Sequence, residues 1–318
     1  LFNCKYIKVD PFSFLPDRIN KALSASRTLK SELKKSEKKN TIVFSLQGSS
    51  LSIPISKLLG FKIIVRNGED VLGSTIYAEN KIQSVIVLLF KVFLYNFADK
   101  IITNSIGSGN SLKKILIQKK KIQPIYNPYL KKIYKNSSHK RNKFLLSVGR
   151  LVKEKDFHNL IIAFNIIKHK IPNYNLIIIG DGQLKYKLQN LVNNLGLNKR
   201  VIFTGWKIKL KKYYVNSKLF ILNSLYEGLG NVVIDAANYN LPIITTNCNS
   251  REIIDYGKGG FLVPIKNPRL LSEKILFCIR NYKVSIKKSK YAKKRLKRFN
   301  CEINCNSYFK LISKTINE

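Results

Sequence analysis

The sequence contains no methionine, one tryptophan and only three histidines among its 318 residues. It begins at Leu1 in the middle of a structural pattern, so we expect a chain whose own start lies further upstream. The five cysteines form no pattern, because Cys301 and Cys305 lie close together without histidine or further cysteine at zinc spacing. This scarcity predicts reduced cytosolic thiols and argues against a zinc site.

Acidic residues are the second shortage. Asp and Glu number 18 against 58 Lys and Arg, which gives a formal net charge of +40. Such a field favours anionic partners: acidic lipid, phosphorylated substrates or nucleic acid. Basic runs such as Lys119–Lys121 are short and scattered, which is equally typical of lysines spread over every solvent face. No motif of interleaved basic and aromatic residues is present, so we predict no nucleic-acid partner.

Long hydrophobic runs are also missing. The longest, residues 84–98, is interrupted by Lys91, and it falls short of the roughly 20 residues that a membrane span needs. We therefore expect a core helix or an interfacial helix at this place. With the positive charge, it predicts a cytoplasmic protein that binds peripherally to an anionic membrane surface.

The chain does contain a regular alternation of short β-branched runs and longer amphipathic segments. This rhythm predicts parallel sheets covered by helices on both faces. The predicted strands are Thr41–Ser45, Lys62–Arg66, Lys100–Thr103, Lys121–Tyr126, Phe144–Val148, Leu176–Ile179, Val201–Phe203, Leu219–Leu222, Pro242–Thr245 and Phe261–Val263. The predicted helices are Ser49–Leu59, Asn80–Ala98, Ser105–Ile117, the apolar-periodic segments 157–167 and 184–195, a helix starting near Asn231, and Cys301–Ile316.

The polar and basic stretch 128–143 breaks the rhythm and predicts a linker between two domains. We expect a first domain over residues 1–127, incomplete at its start, and a second over 144–290. A basic tail, Lys287–Arg298, leads into a last helix within 291–318, which we expect to pack back on the first domain.

Candidate binding residues follow two strands of the second half. Gly149 ends a buried strand, and Arg150 and Lys155 follow within one loop. Two cations at the carboxyl end of a strand suit a diphosphate, because Arg binds two oxygens at once and Lys acts as a point charge. A solvated loop in a lysine-rich protein is the alternative.

A second loop carries two acids and two glycines. Glu227 follows the strand 219–222, and Gly228 and Gly230 open a helix near Asn231 whose free N–H groups can hold a phosphate. Asp235 lies eight residues after Glu227, so the two carboxylates can accept hydrogen bonds from two sets of hydroxyl groups, such as a sugar and a ribose. Taken singly, each acid is equally a helix-terminus charge.

From Phe144 to Pro264 the sequence resembles the donor domain of glycosyltransferase family 4, the group 1 glycosyltransferases of the GT-B fold. The resemblance rests on Gly-Arg-Leu at 149–151 with Lys155, Glu-Gly-Leu-Gly-Asn at 227–231, Leu-Pro at 241–242, Arg-Glu-Ile at 251–253 and Gly-Phe-Leu-Val-Pro at 260–264. The first half resembles an acceptor domain more loosely, through residues 96–105 and 124–128. The implied fold is α/β, with two Rossmann-like parallel-sheet domains facing a cleft and the first strand or strands of the N-terminal domain missing.

The resemblance also implies roles by position. Arg150 and Lys155 would bind and stabilise the nucleotide diphosphate, Glu227 would hold sugar hydroxyls, and Asp235 would bind ribose. Gly149 and the backbone of Gly228, Leu229, Gly230 and Asn231 would contact the donor, and Gly205 would flank the base. Family members retain anomeric configuration and need neither a metal nor a cofactor.

The sequence departs from the family at three places. Asp235 stands where the family usually has Glu, Asn240 stands where it usually has Gly, and the loop 248–251 is about two residues shorter. Both Asn and Gly tolerate the left-handed conformation at a helix end. On the acceptor side, Arg66, Glu69 and Asp70 are candidates, with an ordinary polar loop as the alternative.

We therefore predict a metal-independent retaining hexosyltransferase. It would move a hexose or N-acetylhexosamine from a nucleotide diphosphate sugar, a UDP-sugar, to a glycan or lipid-linked acceptor in cell-envelope glycan synthesis. A degenerate, non-catalytic family member and a sugar-nucleotide epimerase of the same architecture are the alternatives. A phosphorylase would need a lysine motif for pyridoxal phosphate that we do not find.

Overall fold

A computed structural model describes residues 17–46, 51–134 and 141–318, with side chains from Ser24 onward. The described chain divides into two compact units. The first runs through Ile125 and includes Cys305–Glu318, and the second is Tyr126–Asn304. Each unit contains one parallel sheet with helices beside it, so the chain has the predicted α/β architecture.

The first unit is built on a four-stranded parallel sheet in the order β1-β2-β3-β4. Its elements are α1 (Asp17–Lys34), β1 (Ile42–Leu46), α2 (Ser52–Leu58), β2 (Lys62–Asn67), α3 (Val71–Ile76), α4 (Lys81–Tyr95), β3 (Lys100–Thr103), α5 (Ile106–Lys113) and β4 (Ile122–Pro124). Polar side chains start three of these helices, because the carboxylate of Asp70, the amide oxygen of Asn80 and the hydroxyl of Ser105 each accept a hydrogen bond from a first-turn N–H.

The second unit is built on a six-stranded parallel sheet. Its elements are β5 (Phe144–Val148), α6 (Phe157–Ile167), β6 (Asn175–Ile179), α7 (Lys185–Asn194), β7 (Val201–Phe203), α8 (Lys211–Asn216), β8 (Leu219–Leu222), α9 (Asn231–Asn238), β9 (Ile243–Thr246), β10 (Phe261–Val263), α10 (Pro268–Arg280) and α11 (Tyr282–Lys294). The last helix, α12 (Cys301–Asn317), starts in the second unit and belongs to the first from Cys305 onward.

Alternate residues of the central strands of this second sheet pack into two separate hydrophobic cores, one on each face. Leu145 packs with the helices of one face, and Leu146 and Val148 pack with those of the other. Every residue of β8 is buried, as a strand covered on both faces requires. The continuous apolar character of these short strands is therefore explained by burial on two sides.

The strand order β10-β9-β8-β5-β6-β7 places β5 beside β8. From β5 the chain adds β6 and β7 on one side of the sheet, and from β8 it adds β9 and β10 on the other. Ligands of open parallel sheets bind beyond the carboxyl ends of the strands at such a reversal. The loops that follow β5 and β8 are those that carry Arg150, Lys155 and Glu227.

The C-terminal helix α12 covers one face of the first sheet. Leu311 packs with Ile64 and Ile102 of β2 and β3. Arg66 at the end of β2 donates a hydrogen bond from Nε to the hydroxyl of Tyr308, at 3.2 Å. Burial of an apolar face stabilises the helix in this position at about 25 cal/mol per Å².

All ten predicted strands are found, and their ends differ from the prediction by at most two residues. Predicted helices shrink where capping decides the ends: the segment Asn80–Ala98 forms α4 only between Lys81 and Tyr95. The basic segment Lys287–Arg298 was predicted as a tail, and this is wrong, since most of it lies in α11. Helices α1, α3, α8 and α10 were not predicted.

Two predictions fall partly outside the described residues. Of the predicted linker 128–143, residues 135–140 lie outside them, and so do Ser49 and Ser50 of the predicted helix Ser49–Leu59. Among the helices that the structure describes, none is long and apolar enough to cross a membrane.

Candidate functional site

The loop after β5 carries the two predicted cations. Gly149 is followed by Arg150, and a short 3-10 turn at 153–155 ends in Lys155. The side chain of Lys155 lies against Gly149, at 3.5 Å from where a Cβ atom would stand. Arg150 extends into solvent, with 76% of its side chain exposed, and its Nη2 donates to Glu154. Only Lys155 is held at the sheet edge.

Lys155 and Glu227 form an ion pair between the loops of β5 and β8. The Nζ of Lys155 donates to Oε1 of Glu227, and the side chains are only 17% and 10% exposed. The hydroxyl of Ser224 donates to the same carboxylate oxygen at 2.7 Å. Two residues that are 72 positions apart in sequence therefore meet at the strand reversal. A carboxylate and an ammonium group at this place can contact a hydroxyl-rich ligand and an anion respectively.

Further hydrogen bonds lock the two loops together. The N–H of Leu225 donates to the carbonyl of Glu154 at 2.8 Å. The amide of Asn223 donates to the carbonyl of Asp156 and accepts from Asn159, each at 3.0 Å. Buried polar contacts of this kind fix loop geometry, because breaking one leaves an unpaired donor or acceptor. The ion pair thus sits on a rigid support.

Gly230 begins α9 in the left-handed conformation, with φ of 84°. A Cβ atom there would stand 2.3 Å from the hydroxyl oxygen of Ser250, so both the backbone angle and the space require glycine. The preceding Leu229 is buried in the core. Asn231 accepts a hydrogen bond from the amide of Asn127 at 3.3 Å. The first N–H groups of α9 have no earlier helical carbonyls to bond and can face an anion.

Asp235 stands one turn into α9 and contacts a residue that sequence reasoning missed. Its Oδ2 accepts a hydrogen bond from the hydroxyl of Tyr129 at 2.7 Å. Burial raises the pKa of Asp235 to about 6, and the bond from Tyr129 lowers it in part. Burial, together with the nearby carboxylate of Asp235, raises the pKa of Tyr129. The structure therefore brings Lys155 and Glu227 into one ion pair, whereas Asp235 is held in a separate contact.

The glycine turn after β6 allows two loops to approach each other closely. A Cβ atom on Gly180 would stand 1.9 Å from the carbonyl oxygen of Gly149, and one on Gly182 would stand 2.6 Å from that of Leu151. These glycines let the loops of β5 and β6 pack backbone on backbone. Gly205, with φ of 68°, accepts a hydrogen bond from the N–H of Gly180 at 3.0 Å and thus extends this packed edge.

The loop after β9 also reaches the ion pair. The side-chain amide of Asn249 donates to the carbonyl of Glu227 at 2.9 Å. At the other end of α9, Asn240 adopts a left-handed φ of 54°, which confirms that asparagine meets the requirement usually met by glycine at this helix end. Asn249, Ser224 and Tyr129 are the site residues that sequence reasoning missed. Only Ser224 had a local signal, since it lies three residues before Glu227.

The acceptor-side candidates lie in the first unit and make local contacts. Asp70 caps α3 by accepting from the N–H of Gly73 at 3.3 Å. Glu69 pairs with Lys91 of α4 at 2.5 Å. Arg66 is held by Tyr308, as described above. Glu69 and Lys91 also line a cavity of about 330 Å³ between α3 and α4, with Ser74, Thr75, Gln83 and Ser84.

Among the residues that the structure describes, no group of three or more His, Cys, Asp or Glu side chains could hold a metal ion. The ion pair of Lys155 and Glu227 and the N-terminus of α9 lie at the carboxyl edge of the second sheet.

Comparison with known families decides what this constellation belongs to. Residues 131–295, just over half of the chain, match the model of the glycosyl transferases group 1. The chain belongs to this family. The match covers β5 to β10 and therefore Lys155, Glu227 and Asp235, whereas Tyr129 lies just before it.

Curated relatives are glycosyltransferases of prokaryotes. An uncharacterized glycosyltransferase of Methanocaldococcus jannaschii is 37% identical over 56% of this chain and 47% of its own length. The N-acetylgalactosamine-N,N'-diacetylbacillosaminyl-diphospho-undecaprenol 4-alpha-N-acetylgalactosaminyltransferase of Campylobacter jejuni is 29% identical over 77% of this chain and 68% of its own length. The chain thus spans about half of the first relative and two thirds of the second.

Solved structures show the same fold. Sucrose-phosphate synthase from Thermosynechococcus elongatus matches with a TM-score of 0.82 and 18% identity, over 96% of this chain and 82% of that one. The Anabaena protein HepE in complex with UDP matches with a TM-score of 0.76 and 18% identity, over 92% and 83%. At these identities the likeness shows the fold alone, which is that of the GT-B glycosyltransferases.

Proposed function

We propose that the chain is a retaining hexosyltransferase that uses a nucleotide diphosphate sugar. The observation that carries the proposal is the buried contact between Lys155 and Glu227 at the strand reversal of the second sheet. Transfer breaks the bond between the sugar carbon C1 and a phosphate oxygen, so negative charge develops on the departing diphosphate. A fixed ammonium group and helix N–H groups stabilise such charge without reorganisation.

We assign each side chain of the site a role in donor binding from its exposure and its contacts. Lys155 binds the diphosphate, and the exposed Arg150 exchanges its pairing with Glu154 for the diphosphate and closes on it from solvent. Glu227, released from Lys155 by the incoming phosphate, accepts hydrogen bonds from sugar hydroxyls, with Ser224 orienting it. Asp235 and Tyr129 together offer one acceptor and one hydroxyl to the ribose. Gly205 and its neighbours flank the base.

The nature of donor and acceptor is proposed from the relatives. The name of an Escherichia coli relative, 30% identical over 40% of this chain, specifies UDP-Gal as donor and a diphosphoundecaprenol-linked sugar as acceptor. An Erwinia amylovora relative, 27% identical over 60%, is an amylovoran biosynthesis glycosyltransferase. We propose a UDP-hexose or UDP-N-acetylhexosamine donor, a glycan or lipid-linked acceptor in envelope synthesis, and a location on the cytoplasmic face of the membrane.

The cation, the helix terminus and the carboxylate supply the needed electrostatics, so we propose that transfer needs no metal ion and no cofactor. Activity should persist in excess EDTA. Complete loss in EDTA, restored by Mg²⁺ or Mn²⁺, would contradict this part of the proposal.

Product analysis tests the main claim. The chain is incubated with UDP-glucose, UDP-galactose and their N-acetylated forms, together with a short-chain polyprenyl diphosphate that carries one N-acetylhexosamine. Transfer yields free UDP and a lengthened, α-linked glycolipid. An epimerase would convert one intact UDP-sugar into another without releasing UDP.

Two variants separate a catalytic role of Glu227 from a structural one. Glu227→Gln keeps the size of the side chain and should reduce transfer by at least about 100-fold, as removal of an essential transition-state contact does. Glu273→Gln, an exposed acid of α10, should leave the rate unchanged. Equal rates for Glu227→Gln and the parent chain would refute the assigned role. No transfer and no UDP binding by the parent chain would favour a degenerate family member.

A further inference from the structure

Helix α4 exposes a large apolar face. Six side chains on one stripe are between 50% and 77% exposed: Ile82, Ile86, Leu89, Phe90, Phe93 and Phe97, the last lying just beyond the helix end. Scattered exposed apolar residues are ordinary, but a contiguous set that includes three phenylalanines marks an interaction surface. We call these six residues the apolar stripe.

The other side of α4 already has its partner. Leu94 and Tyr95 are buried in the core of the first unit, and Leu88 and Val92 pack against that core. Helix packing within the unit therefore accounts for one apolar side only. The apolar stripe points away from this core, and a helix with two apolar sides needs a second apolar environment.

A turn of lysines lies at the end of the apolar stripe. The side-chain oxygen of Asn96 accepts from the N–H groups of Ile117 and Gln118, at 3.2 and 3.4 Å. The ammonium group of Lys121 donates to the carbonyl of Asn96 at 3.1 Å. These bonds fix Lys119–Lys121 beside the C-terminus of α4. Ile117, which precedes these lysines and is bonded to Asn96, adds an apolar side chain that is 85% exposed.

Positive charge at this place exceeds the local negative charge. Asp99 is engaged by Lys57 at 2.6 Å. Partial burial lowers the pKa of Lys121, Asp99 opposes this, and the nearby Lys57 and Lys100 lower it further. Between Asn80 and Ala98 the sequence contains no acidic residue. An apolar stripe that ends in a cluster of cations is complementary to a surface that is apolar inside and anionic at its rim.

We propose that the apolar stripe and Lys119–Lys121 dock this chain on a bilayer that contains acidic lipid. The stripe inserts at the boundary between headgroups and acyl chains while the lysines bind the anionic headgroups. A second copy of the chain fits less well, because it would bring two lysine clusters together on molecules of net charge +40. The proposal deepens the membrane location proposed above and is independent of the donor chemistry.

Co-sedimentation with lipid vesicles tests both halves of the surface. The full chain should bind vesicles of phosphatidylcholine with 30% phosphatidylglycerol, bind pure phosphatidylcholine weakly, and lose affinity as salt rises from about 0.1 to 0.5 M. Ile86→Ser/Phe90→Ser should lower the partition coefficient about 25-fold, since each half-exposed side chain gains about fivefold on insertion. Ile166→Ser/Tyr186→Ser, exposed positions of the second unit, should change it less than twofold.

A second pair of variants asks whether the charge acts locally. Lys119→Gln/Lys120→Gln should weaken binding to the anionic vesicles about 25-fold, because each lysine near the surface contributes about fivefold. Lys287→Gln/Lys290→Gln removes the same charge from α11 and should have little effect. Equal losses in both pairs would overturn the proposal, since the attraction would then come from net charge spread over the whole chain.

Two further outcomes would also overturn it. One is a concentration-dependent dimer in sedimentation velocity that Ile86→Ser/Phe90→Ser dissolves, because the stripe would then face a second copy. The other is vesicle binding that is unchanged in both Ile86→Ser/Phe90→Ser and Lys119→Gln/Lys120→Gln. A thermal shift with UDP, measured on each variant, keeps the docking result separate from the donor site: the shift should be the same as for the parent chain whether or not vesicle binding is lost.

Discussion

Asparagine in place of Asp235 should stabilise the protein above pH 6 and weaken its binding of nucleotide. Burial raises the pKa of the Asp235 carboxyl from 3.8 to about 6. A shift of about two units at 1.36 kcal/mol each makes the charged form cost up to about 3 kcal/mol in the folded state. The amide oxygen of asparagine can still accept the hydrogen bond from Tyr129, so the contact is kept and the charge is removed.

The sign of the pH dependence follows from the direction of the shift. Because the folded-state pKa is raised, the contribution of Asp235 to the free energy of unfolding is most favourable below about pH 4. It is lost as the pH rises through about 6. The variant and the parent should therefore unfold alike at pH 3.5. At pH 8 the variant should melt about 5–10 °C higher, for a unit of this size.

Asp255→Asn is the matched control, because its carboxylate also accepts a hydrogen bond from a tyrosine, Tyr291, at 2.6 Å. That bond, with nearby Lys258 and Arg295, lowers the pKa of Asp255. Its contribution has the opposite sign: it is present at neutral pH and is lost as the pH falls. Asp255→Asn should thus lower the melting temperature at pH 8. An Asp235→Asn variant that melts below the parent at pH 8 would refute the reasoning.

Three further changes test the packing of the second unit, each by chemical denaturation. Gly230→Ala should lower the free energy of unfolding by about 2–4 kcal/mol, since it combines a left-handed φ of 84° with a clash on Ser250. Gly196→Ala, with φ of 64° and open space, should lower it by only about 1 kcal/mol. Equal losses in the two variants would contradict the clash. Leu229→Ala should cost about 2–5 kcal/mol because the side chain is 1% exposed, and a smaller loss would mean that the loop re-packs. Arg141→Lys should cost about 2–4 kcal/mol, because lysine cannot replace a guanidinium group that donates to five backbone carbonyls of residues 214–240; an unchanged midpoint would show that those carbonyls find other donors.

Strands could be predicted from sequence because their signal is local. Phe144–Val148 and Leu219–Leu222 have the predicted bounds, since a strand buried on both faces is a continuous apolar run bounded by polar residues or glycine. Helices α1, α3, α8, α10 and α11 were not predicted. Helix α11 was predicted as a basic tail because lysines dominate Tyr282–Lys294, yet Ser285, Ser289 and Ala292 form a narrow buried side.

The candidate site was predictable as far as it follows strand ends. Lys155 and Glu227 lie in loops after adjacent strands, and the family motif places both. The contact of Tyr129 with Asp235 joins residues 106 positions apart, and no local pattern announces it. The requirement for glycine at position 180 was not predictable either, because the atom that approaches it is the carbonyl oxygen of Gly149 in the neighbouring loop. Such contacts follow from tertiary packing, which a single sequence does not display.

Nucleotide titration of the full chain, followed by thermal unfolding, tests the central claim most directly. UDP at about 100 times its dissociation constant should stabilise the second unit by about 2.7 kcal/mol, which is a shift of several degrees. GDP and ADP at the same concentration should shift it less. Lys155→Gln should abolish the shift with UDP, whereas Lys287→Gln, an exposed lysine of α11, should preserve it. A UDP shift that Lys155→Gln leaves intact would contradict the donor site described here.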